Sequence, residues 1–251
     1  TVADTATDYL AFGETATENF TVTIDDGQGG TVDQTVTITV TGTNEAPTIT
    51  VADATGDVTE DVSVVAGNLS TTGSITFNDV DLIDVHTTSV VKDSGTLGGT
   101  LTMGAVSELA TTEPGTVGWT YTVADNATDY LAAGQTATES FTVTISDGQG
   151  GTVTQPVTIT VTGTNEAPTI TLADASGAVT EDAATPNLST TGSITFNDVD
   201  LIDVHTTSVA AALSNTLGGT LTMGAVSELA TTASGTVGWT YTVADNATDY
   251  L

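Results

Sequence analysis

One segment of ten residues occurs twice in the chain. The first copy is Thr41-Gly42-Thr43-Asn44-Glu45-Ala46-Pro47-Thr48-Ile49-Thr50, and the second copy occupies residues 162–171. A segment of alternating Val, Ile and Thr leads into each copy, and another begins just after its proline. Proline lacks a backbone donor and pushes the residue before it into an extended conformation, whereas glycine and asparagine relax the backbone ahead of it. The stretch therefore predicts a short, fairly stiff joint between two β-domains. We call residues 41–47 the first joint and residues 162–168 the second joint.

Self-similarity between the joints gives the length of the repeat. Asn44 recurs as Asn165 and Trp119 recurs as Trp239, which are offsets of 121 and 120 residues. A period near 120 is too long for a solenoid unit and suits one independent β-sandwich domain. It predicts the C-terminal strands of a truncated repeat in residues 1–46, a complete repeat in 47–167, and the first two-thirds of a further repeat in 168–251.

Apolar residues alternate with threonine in the segments between the joints. In residues 117–123 the apolar set is Val, Trp, Tyr and Val at odd positions, and residues 141–145 and 157–161 alternate in the same way. This period of two predicts half-buried strands, and no segment keeps a helical period. The two tryptophans lie within the alternation, so we expect core residues rather than sugar-stacking platforms. The predicted fold is all-β, a string of antiparallel β-sandwiches.

The charge of the chain is strongly negative. It has 32 acidic side chains, Lys92 as its single basic one, no cysteine and a formal net charge of −31. Such a charge excludes nucleic acid and anionic membrane as partners, because both require Lys and Arg. No apolar run approaches the roughly 18–20 residues of a membrane span, so membrane insertion is not expected. Self-repulsion of the carboxylates predicts binding of counter-cations, divalent ions or high salt.

Acidic residues recur as four groupings in a fixed order around each joint. Calcium takes about six to eight oxygen ligands in flexible geometry, and clustered Asp, Glu, Asn and loop carbonyls supply them. The pattern therefore favours a calcium site at each joint, with solvated loop acids as the alternative. The groupings are Thr59-Glu60-Asp61 with Thr180-Glu181-Asp182, Asn78 to His86 with Asn197 to His205, Asn44-Glu45 with Asn165-Glu166, and the turn Asp147-Gly148 with Asp26-Gly27.

The order of these groupings resembles that of cadherin repeats, in which a Glu, an Asp-x-Asp, an Asp-x-Gly turn and an Asn-rich joint ending Ala-Pro follow one another. The whole unit is similar to the VCBS-type, cadherin-like (Ig-like) tandem repeat of large bacterial surface adhesins of the RTX type. Cadherins have Asp-x-Asn-Asp-Asn where this chain has Gly-Thr-Asn-Glu, so the number of ions per joint stays open. The matching segments are Gly73 to Asp81, Trp119-Thr120-Tyr121, Asp129-Tyr130-Leu131, Phe141 to Thr144, Asp147 to Gly151 and Gly163 to Pro168.

The resemblance implies tandem Ig-like or cadherin-like sandwiches that form an extracellular stalk on a bacterial cell surface, commonly exported by a type I system. It implies that Ca²⁺ orders the junctions, so that the rod projects a distal binding domain for adhesion or biofilm formation. Carried over by position, the ligands of the first joint are Asn44, Glu45, Asp79, Asp81 and Asp147. Those of the second joint are Glu60 and Asp61 from the repeat before it, Asn165 and Glu166 from the joint, and Asp198 and Asp200 from the repeat after it.

Other functions stay open from the sequence. An enzyme is not expected, because the acids recur identically in each repeat and nothing supplies a nucleophile elbow or a His-paired nucleophile. A carbohydrate- or protein-binding module is one alternative. Another is the subunit of an extracellular filament, because residues 1–10 nearly duplicate residues 242–251 and the head of one copy can complete the tail of the next. The simpler interpretation is that the boundaries of the chain are not natural ones. The expected partners are neighbouring repeats and other copies of the chain.

His86 and His205 follow the acidic segments and raise the question of a zinc site. Two imidazoles about 120 residues apart cannot share one site without contacts between chains. We therefore expect both to be structural or surface residues.

Overall fold

The computed structural model describes residues 1–109, 112–181 and 186–249, so Asp182 and the last two residues of the duplicated segment 242–251 lie outside it. Besides strands, the described part contains three 3-10 helices of one turn, Asp4–Ala6, Asp125–Ala127 and Asp245–Ala247. The all-β prediction is therefore confirmed. None of the helices described is long and apolar enough to cross a membrane.

The chain separates into two compact units. Unit 1 holds residues 1–58, 62–124 and 137–161, and unit 2 holds residues 59–61, 125–136 and 162–251. Each unit draws on non-contiguous parts of the chain, because turns at one end of the middle repeat fall in unit 2. The repeat boundaries 1–46, 47–167 and 168–251 stay a prediction.

Unit 1 contains three sheets. One is the two-stranded pair β1-β2, one has the order β4-β11-β10-β6, and one has the order β3-β5-β9-β7 with β8 also on β9. Single end residues of β4, β10 and β11 belong to unit 2. The strands are β1 (Thr15–Asp25), β2 (Thr31–Thr41), β3 (Thr48–Ala52), β4 (Thr55–Thr59), β5 (Asn68–Asn78), β6 (Thr87–Ser94), β7 (Thr100–Met103), β8 (Ser107–Leu109), β9 (Thr112–Ala124), β10 (Thr136–Ser146) and β11 (Thr152–Thr162).

The core of unit 1 follows from the alternation of its strands. Every second residue is buried in the later part of β9, β10 and β11, from residues 115, 139 and 157 onward. Trp119 and Phe141 are among the largest buried side chains. The indole N–H of Trp119 donates to the backbone oxygen of Asp53 at 2.8 Å. Phe77 lies opposite Gly115 in the β5–β9 register, where a Cβ would come within 2.4 Å of its ring. The predicted period of two and the core position of Trp119 are confirmed.

Unit 2 contains one four-stranded antiparallel sheet of order β12-β13-β15-β14. Its register repeats that of unit 1, because Phe196 lies opposite Gly235 as Phe77 lies opposite Gly115. Trp239 is buried, as its position in the alternation predicted. The strands are β12 (Thr169–Ala173), β13 (Asn187–Asn197), β14 (Thr220–Ser227) and β15 (Ser234–Ala244).

Candidate metal centre

The five residues predicted for the first joint come together in unit 1. The side-chain amide of Asn44 donates to Asp147 Oδ2 at 3.0 Å, and the backbone N–H of Glu45 donates to Asp81 Oδ2 at 2.9 Å. The backbone N–H of Asp81 in turn donates to Asp79 Oδ1 at 3.0 Å. The first joint is therefore hydrogen-bonded to two acidic turns that lie far from it in sequence.

The first of these turns follows directly from the end of β5. Strand pairing stops at Asn78, and the next residues alternate between buried and exposed, so that Asp79 and Asp81 face inward while Val80 faces solvent. The backbone N–H of Asp84 donates to the carbonyl of Asp81 at 3.0 Å and closes the turn. Two carboxylates of an Asp-x-Asp sequence are therefore held on one side of the loop.

The second turn joins β10 to β11 and fixes Asp147 by backbone donors. Asp147 Oδ1 accepts the N–H groups of Gln149, Gly150 and Gly151 at 2.8, 3.0 and 3.0 Å. Burial alone would raise the pKa of Asp147, but the Asn44 amide and these three N–H groups hold it below its usual range. The carboxylate therefore stays ionised while it is almost completely buried.

Asp84 joins this group, although the sequence did not single it out as a ligand. One carboxylate oxygen from each of Asp79, Asp84 and Asp147 lies within 4.8 Å of the others. Burial, followed by the charges of Asp79 and Asp147, raises the pKa of Asp84. Its place in the acidic segment 78–86 was a signal, but the spacing alone does not show that the turn brings it towards Asp147.

Four buried oxygens at the first joint accept no hydrogen bond from the described residues. They belong to carboxylates and one amide, so each is an acceptor with no donor to satisfy it, which is costly in a protein interior. Burial, with the charges of Glu45, Asp79 and Asp84, raises the pKa of Asp81 to about 6. These oxygens lack the positive charge or the donors that would balance them. The atoms are Asn44 Oδ1, Glu45 Oε2, Asp81 Oδ1 and Asp84 Oδ2.

The second joint shows the same arrangement within unit 2. Glu60 Oε2 accepts the backbone N–H of Thr164 at 2.9 Å, and the backbone N–H of Glu166 donates to Asp200 Oδ2 at 3.0 Å. The Thr164 hydroxyl donates to Glu166 Oε1 at 3.1 Å. The other oxygen of each of the three carboxylates, namely Glu60 Oε1, Glu166 Oε2 and Asp200 Oδ1, is buried and accepts no hydrogen bond from the described residues.

At the second joint, as at the first, burial and neighbouring carboxylates raise the pKa of acidic side chains. Burial, then Asp200 and Glu60, raises the pKa of Glu166 to about 7. The pKa of Glu60 is raised by its own burial, followed by the charges of Asp129 and Asp61. Three segments that are distant in sequence thus bring like charges together without a basic side chain among them.

Three predicted ligands of the second joint have no buried unsatisfied oxygen. Asp61 is exposed at a φ of 59°, and its backbone N–H donates to Asp125 Oδ1 at 3.1 Å. Asn165 is exposed, and its amide donates to the carbonyl of Glu166 at 2.9 Å. Asp198 accepts the N–H of Asp200 on Oδ1. Their role as ligands stays a prediction.

Each histidine lies between two carboxylates. His86 Nε2 lies 3.0 Å from Asp79 Oδ2, its Nδ1 lies 2.7 Å from Glu108 Oε2, and its ring centroid lies 4.7 Å from that of Phe77. His205 repeats this contact set with Asp198 at 2.9 Å, Glu228 at 2.7 Å and Phe196 at 4.6 Å. The first set is His86 with Asp79, Glu108 and Phe77, and the second set is His205 with Asp198, Glu228 and Phe196.

The histidines therefore orient a carboxylate of each Asp-x-Asp turn and do not offer a free nitrogen to zinc. Burial opposes protonation of His205, but Asp198 and Glu228 outweigh it and raise the pKa of the imidazole. Glu108 and Glu228 lie 22 and 23 residues after their histidines. Sequence reasoning missed both glutamates, because no motif or spacing marks them.

The donor set at both joints fits a hard divalent cation. The unsatisfied atoms are all oxygens, and several are charged, which is the chemistry that Ca²⁺ prefers. This ligand chemistry suits a metal ion rather than an organic ligand.

The similarity between this chain and the solved structures that it matches is weak. The zebrafish RET cadherin-like domains 1 to 4 match with 11% identity and a TM-score of 0.29, over 93% of this chain and 51% of that one. The secreted serine protease VesC from Vibrio cholerae matches with 12% identity and a TM-score of 0.26, over 80% and 47%. The chain thus spans about half the length of these structures. No family model and no curated protein matches. At such TM-scores the fold assignment rests on this chain's own strand pairing.

Proposed function

We propose that this chain is part of the extracellular stalk of a bacterial surface adhesin, and that Ca²⁺ binds at its joints and rigidifies them. The role is structural rather than catalytic. The stalk would hold a distal binding domain away from the cell for adhesion or biofilm formation, and a type I system would export it. The partners would be neighbouring repeats of the same chain.

The observation that carries this proposal is a set of buried side-chain oxygens, seven among the described residues, that accept no hydrogen bond from those residues. All seven lie at the two joints or in the acidic turns tied to them. Glu45 and Glu166 leave the same atom unsatisfied, and so do Asp81 and Asp200. A structural network of acids and amides would pair such atoms. A repeated failure to pair them supports a bound cation as the missing partner.

The action of the ion follows from the second joint. In the predicted repeats, Glu60 belongs to the middle repeat, Glu166 to the joint and Asp200 to the repeat that follows. Without a cation their charges repel one another, and the hydrogen bonds through Thr164 and Glu166 are opposed by that repulsion. A calcium ion coordinated by all three would replace repulsion with shared coordination. The joint would then hold a single conformation.

The test is a calcium titration of the full chain, followed by calorimetry and small-angle scattering. Extracellular calcium modules bind with dissociation constants of about 10⁻⁴–10⁻³ M. At about 5 mM Ca²⁺, a site of that affinity adds roughly 1–2 kcal/mol to the free energy of unfolding. The maximum dimension in solution should become better defined, because bent conformers are lost.

Two variants give the test its control. Glu60→Gln together with Glu166→Gln removes two charges of the second joint, so the calcium-dependent change in scattering should shrink. Asp57→Asn removes the charge of an exposed strand residue and should leave the change intact. Identical scattering of the unmodified chain in EDTA and in Ca²⁺, with no change in thermal stability, would contradict the proposal.

A further inference from the structure

A buried ion pair in unit 1 belongs to neither joint and has no part in the proposed function. Glu139 on β10 is 0% exposed. Its Oε1 lies 2.5 Å from the ammonium nitrogen of Lys92 on β6, and its Oε2 accepts the hydroxyl of Tyr121 at 2.8 Å. Both oxygens of this carboxylate are therefore satisfied, and one of the two partners is a cation.

The backbone around Glu139 leaves room for its side chain. Gly95 has a φ of 108°, and a Cβ at this position would lie 2.5 Å from Glu139 Cγ. A Cβ at Gly99 would lie 2.3 Å from Glu139 Oε2 and 2.2 Å from the hydroxyl of Tyr121. Any side chain at either glycine would therefore displace the carboxylate from its partners.

Lys92 supplies a charge that this carboxylate cannot obtain elsewhere, because the chain has no other Lys and no Arg. The Lys92 side chain is 32% exposed, so its amine is within reach of small reagents. Its Nζ also donates to the carbonyl of Gly99 at 3.4 Å and lies 5.9 Å from the ring centroid of Phe141. Removal of one partner of a buried ion pair is strongly destabilising, because the other charge stays buried and uncompensated.

Strand β6 has few other contacts that hold it in the sheet. It is at the edge of the sheet of order β4-β11-β10-β6, and none of its eight residues is buried. Apart from the backbone pairing with β10, the Lys92–Glu139 pair is accompanied by two exposed hydrogen bonds. These join Thr142 to Asp93 and Ser94 to Ser140, both at 2.7 Å. Segments with so little buried surface are the first to open locally.

We propose that the Lys92–Glu139 ion pair holds edge strand β6 on β10, and that acylation of the Lys92 amine releases the strand. In this reaction Nζ loses a proton to solvent and forms a bond to the carbonyl carbon of an activated acyl donor. The bond between that carbon and the leaving group breaks, and a second proton leaves the nitrogen. The product is a neutral amide, so the lysine no longer carries a charge.

The modified chain has a buried carboxylate without a cation. Glu139 keeps the hydroxyl of Tyr121, but this single neutral donor does not balance the charge. Opening of β6 lets water reach the carboxylate. It also leaves backbone groups of β10 unpaired, and such an edge can pair with another extended segment. Ala211 stands at the position of Lys92 in the next repeat, so the acylation site is specific to the middle repeat.

The test treats the full chain in EDTA with the N-hydroxysuccinimide ester of acetic acid, so its outcome does not depend on calcium. The reagent reaches two amines, that of Lys92 and the terminal one, and mass spectrometry verifies both products. The acetylated chain should melt about 10 °C lower than the untreated chain. Amides of β6 should lose protection from hydrogen exchange, whereas amides of β11 in the middle of the sheet should keep it.

Two variants separate the loss of charge from other effects of the reagent. Lys92→Arg keeps a cation without an acylatable side chain, so treatment should change neither its melting temperature nor its exchange. Glu139→Gln has no buried charge to strand, so acetylation of its Lys92 should lower the melting temperature by under about 3 °C.

Three results would overturn the proposal. One is complete acetylation of Lys92 with no change in melting temperature or in exchange of β6. Another is an equal loss of stability in treated Glu139→Gln, and the third is a Lys92 amine that does not react while the terminal amine does.

Discussion

Neutralising Asp81 should stabilise the calcium-free chain and should reduce the stabilisation that calcium adds. The Asp81 side chain is 1% exposed, one oxygen accepts the N–H of Glu45, and the other is unsatisfied. In Asp81→Asn the amide oxygen can keep the contact with Glu45. The amide nitrogen of the variant can donate to the neighbouring carboxylates, whose charges repel the carboxylate of Asp81 in the parent chain. Without calcium the variant should therefore be more stable than the parent chain.

The magnitude follows from the pKa of Asp81. It rises from 3.8 to about 6, and each pKa unit corresponds to about 1.4 kcal/mol, so the ionised carboxylate costs the folded state on the order of 3 kcal/mol. For a unit of this size, each kcal/mol shifts the melting temperature by about 2–4 °C. Asp81→Asn should thus melt up to roughly 5–10 °C higher than the parent chain in EDTA at pH 7.5.

The sign of the pH dependence is fixed by the same shift. Between pH 4 and pH 6 the folded state binds more protons at Asp81 than the unfolded state does, because the folded pKa is the higher one. The metal-free parent chain should therefore lose stability as the pH rises through this window. Asp81→Asn lacks the group and should lose less. Glu166, with a pKa near 7, extends the loss in the parent chain to neutral pH.

The assay is differential scanning calorimetry in EDTA and in 5 mM Ca²⁺, at pH 5 and pH 7.5. Calcium should raise the melting temperature of the parent chain more than that of Asp81→Asn, because the variant lacks one ligand charge. Asp57→Asn controls for the removal of an acidic charge as such, since Asp57 is exposed. If Asp81→Asn were less stable than the parent chain in EDTA, the carboxylate would be satisfied without a cation, and the reasoning about the joint would be wrong.

Three further predictions follow from matched or crowded positions. Phe141→Ala should lower the free energy of unfolding by about 3–5 kcal/mol, because Phe141 is buried. The same change at its exposed counterpart Phe20 should lower it by under about 1 kcal/mol, and chemical denaturation compares the two variants. Gly163→Ala places a Cβ 1.9 Å from the backbone oxygen of Leu131, so it should weaken calcium binding by distorting the second joint, which calorimetric titration measures. His86→Gln should lower calcium affinity at the first joint about 10–100-fold by releasing a carboxylate from its partner, while the fold, followed by near-ultraviolet circular dichroism, should persist.

The sequence predicted the strands because local alternation and burial have the same cause. Each Thr on β9 or β10 faces outward because the neighbouring apolar residue faces the core, so a period of two carries both facts. Both Asn-Glu-Ala-Pro segments lie between strands, as their glycine and proline indicated, whereas their role as joints between domains stays a prediction. Asn44 and Asp147 are 103 residues apart, and the resemblance to cadherin repeats named both as ligands of the first joint; their hydrogen bond was not predicted.

Contacts without a local pattern were not predictable. Glu108 comes near His86 because β8 pairs with β9, and that register is set by a bulge between Ser107 and Leu109 rather than by any spacing in the chain. Asp84 was visible as one acid among several, but only the folded turn shows which oxygens face Asp147. Asp61 was predicted as a ligand because it follows Glu60 in an acidic grouping. Its backbone is in the left-handed region, and its side chain is exposed to solvent.

The two joints have different sets of candidate ligands among the described residues. Both have the Asn-Glu pair and the Asp-x-Asp turn. At the first joint Asp84 and Asp147 join them, whereas at the second joint Glu60 does. Removal of Glu60 should lower calcium affinity at the second joint and leave the first joint unchanged, so the two joints of this chain should differ measurably in affinity. A titration that resolves two classes of site in the parent chain, of which Glu60→Gln weakens only one, would establish that difference, and a single class unaffected by Glu60→Gln would contradict it.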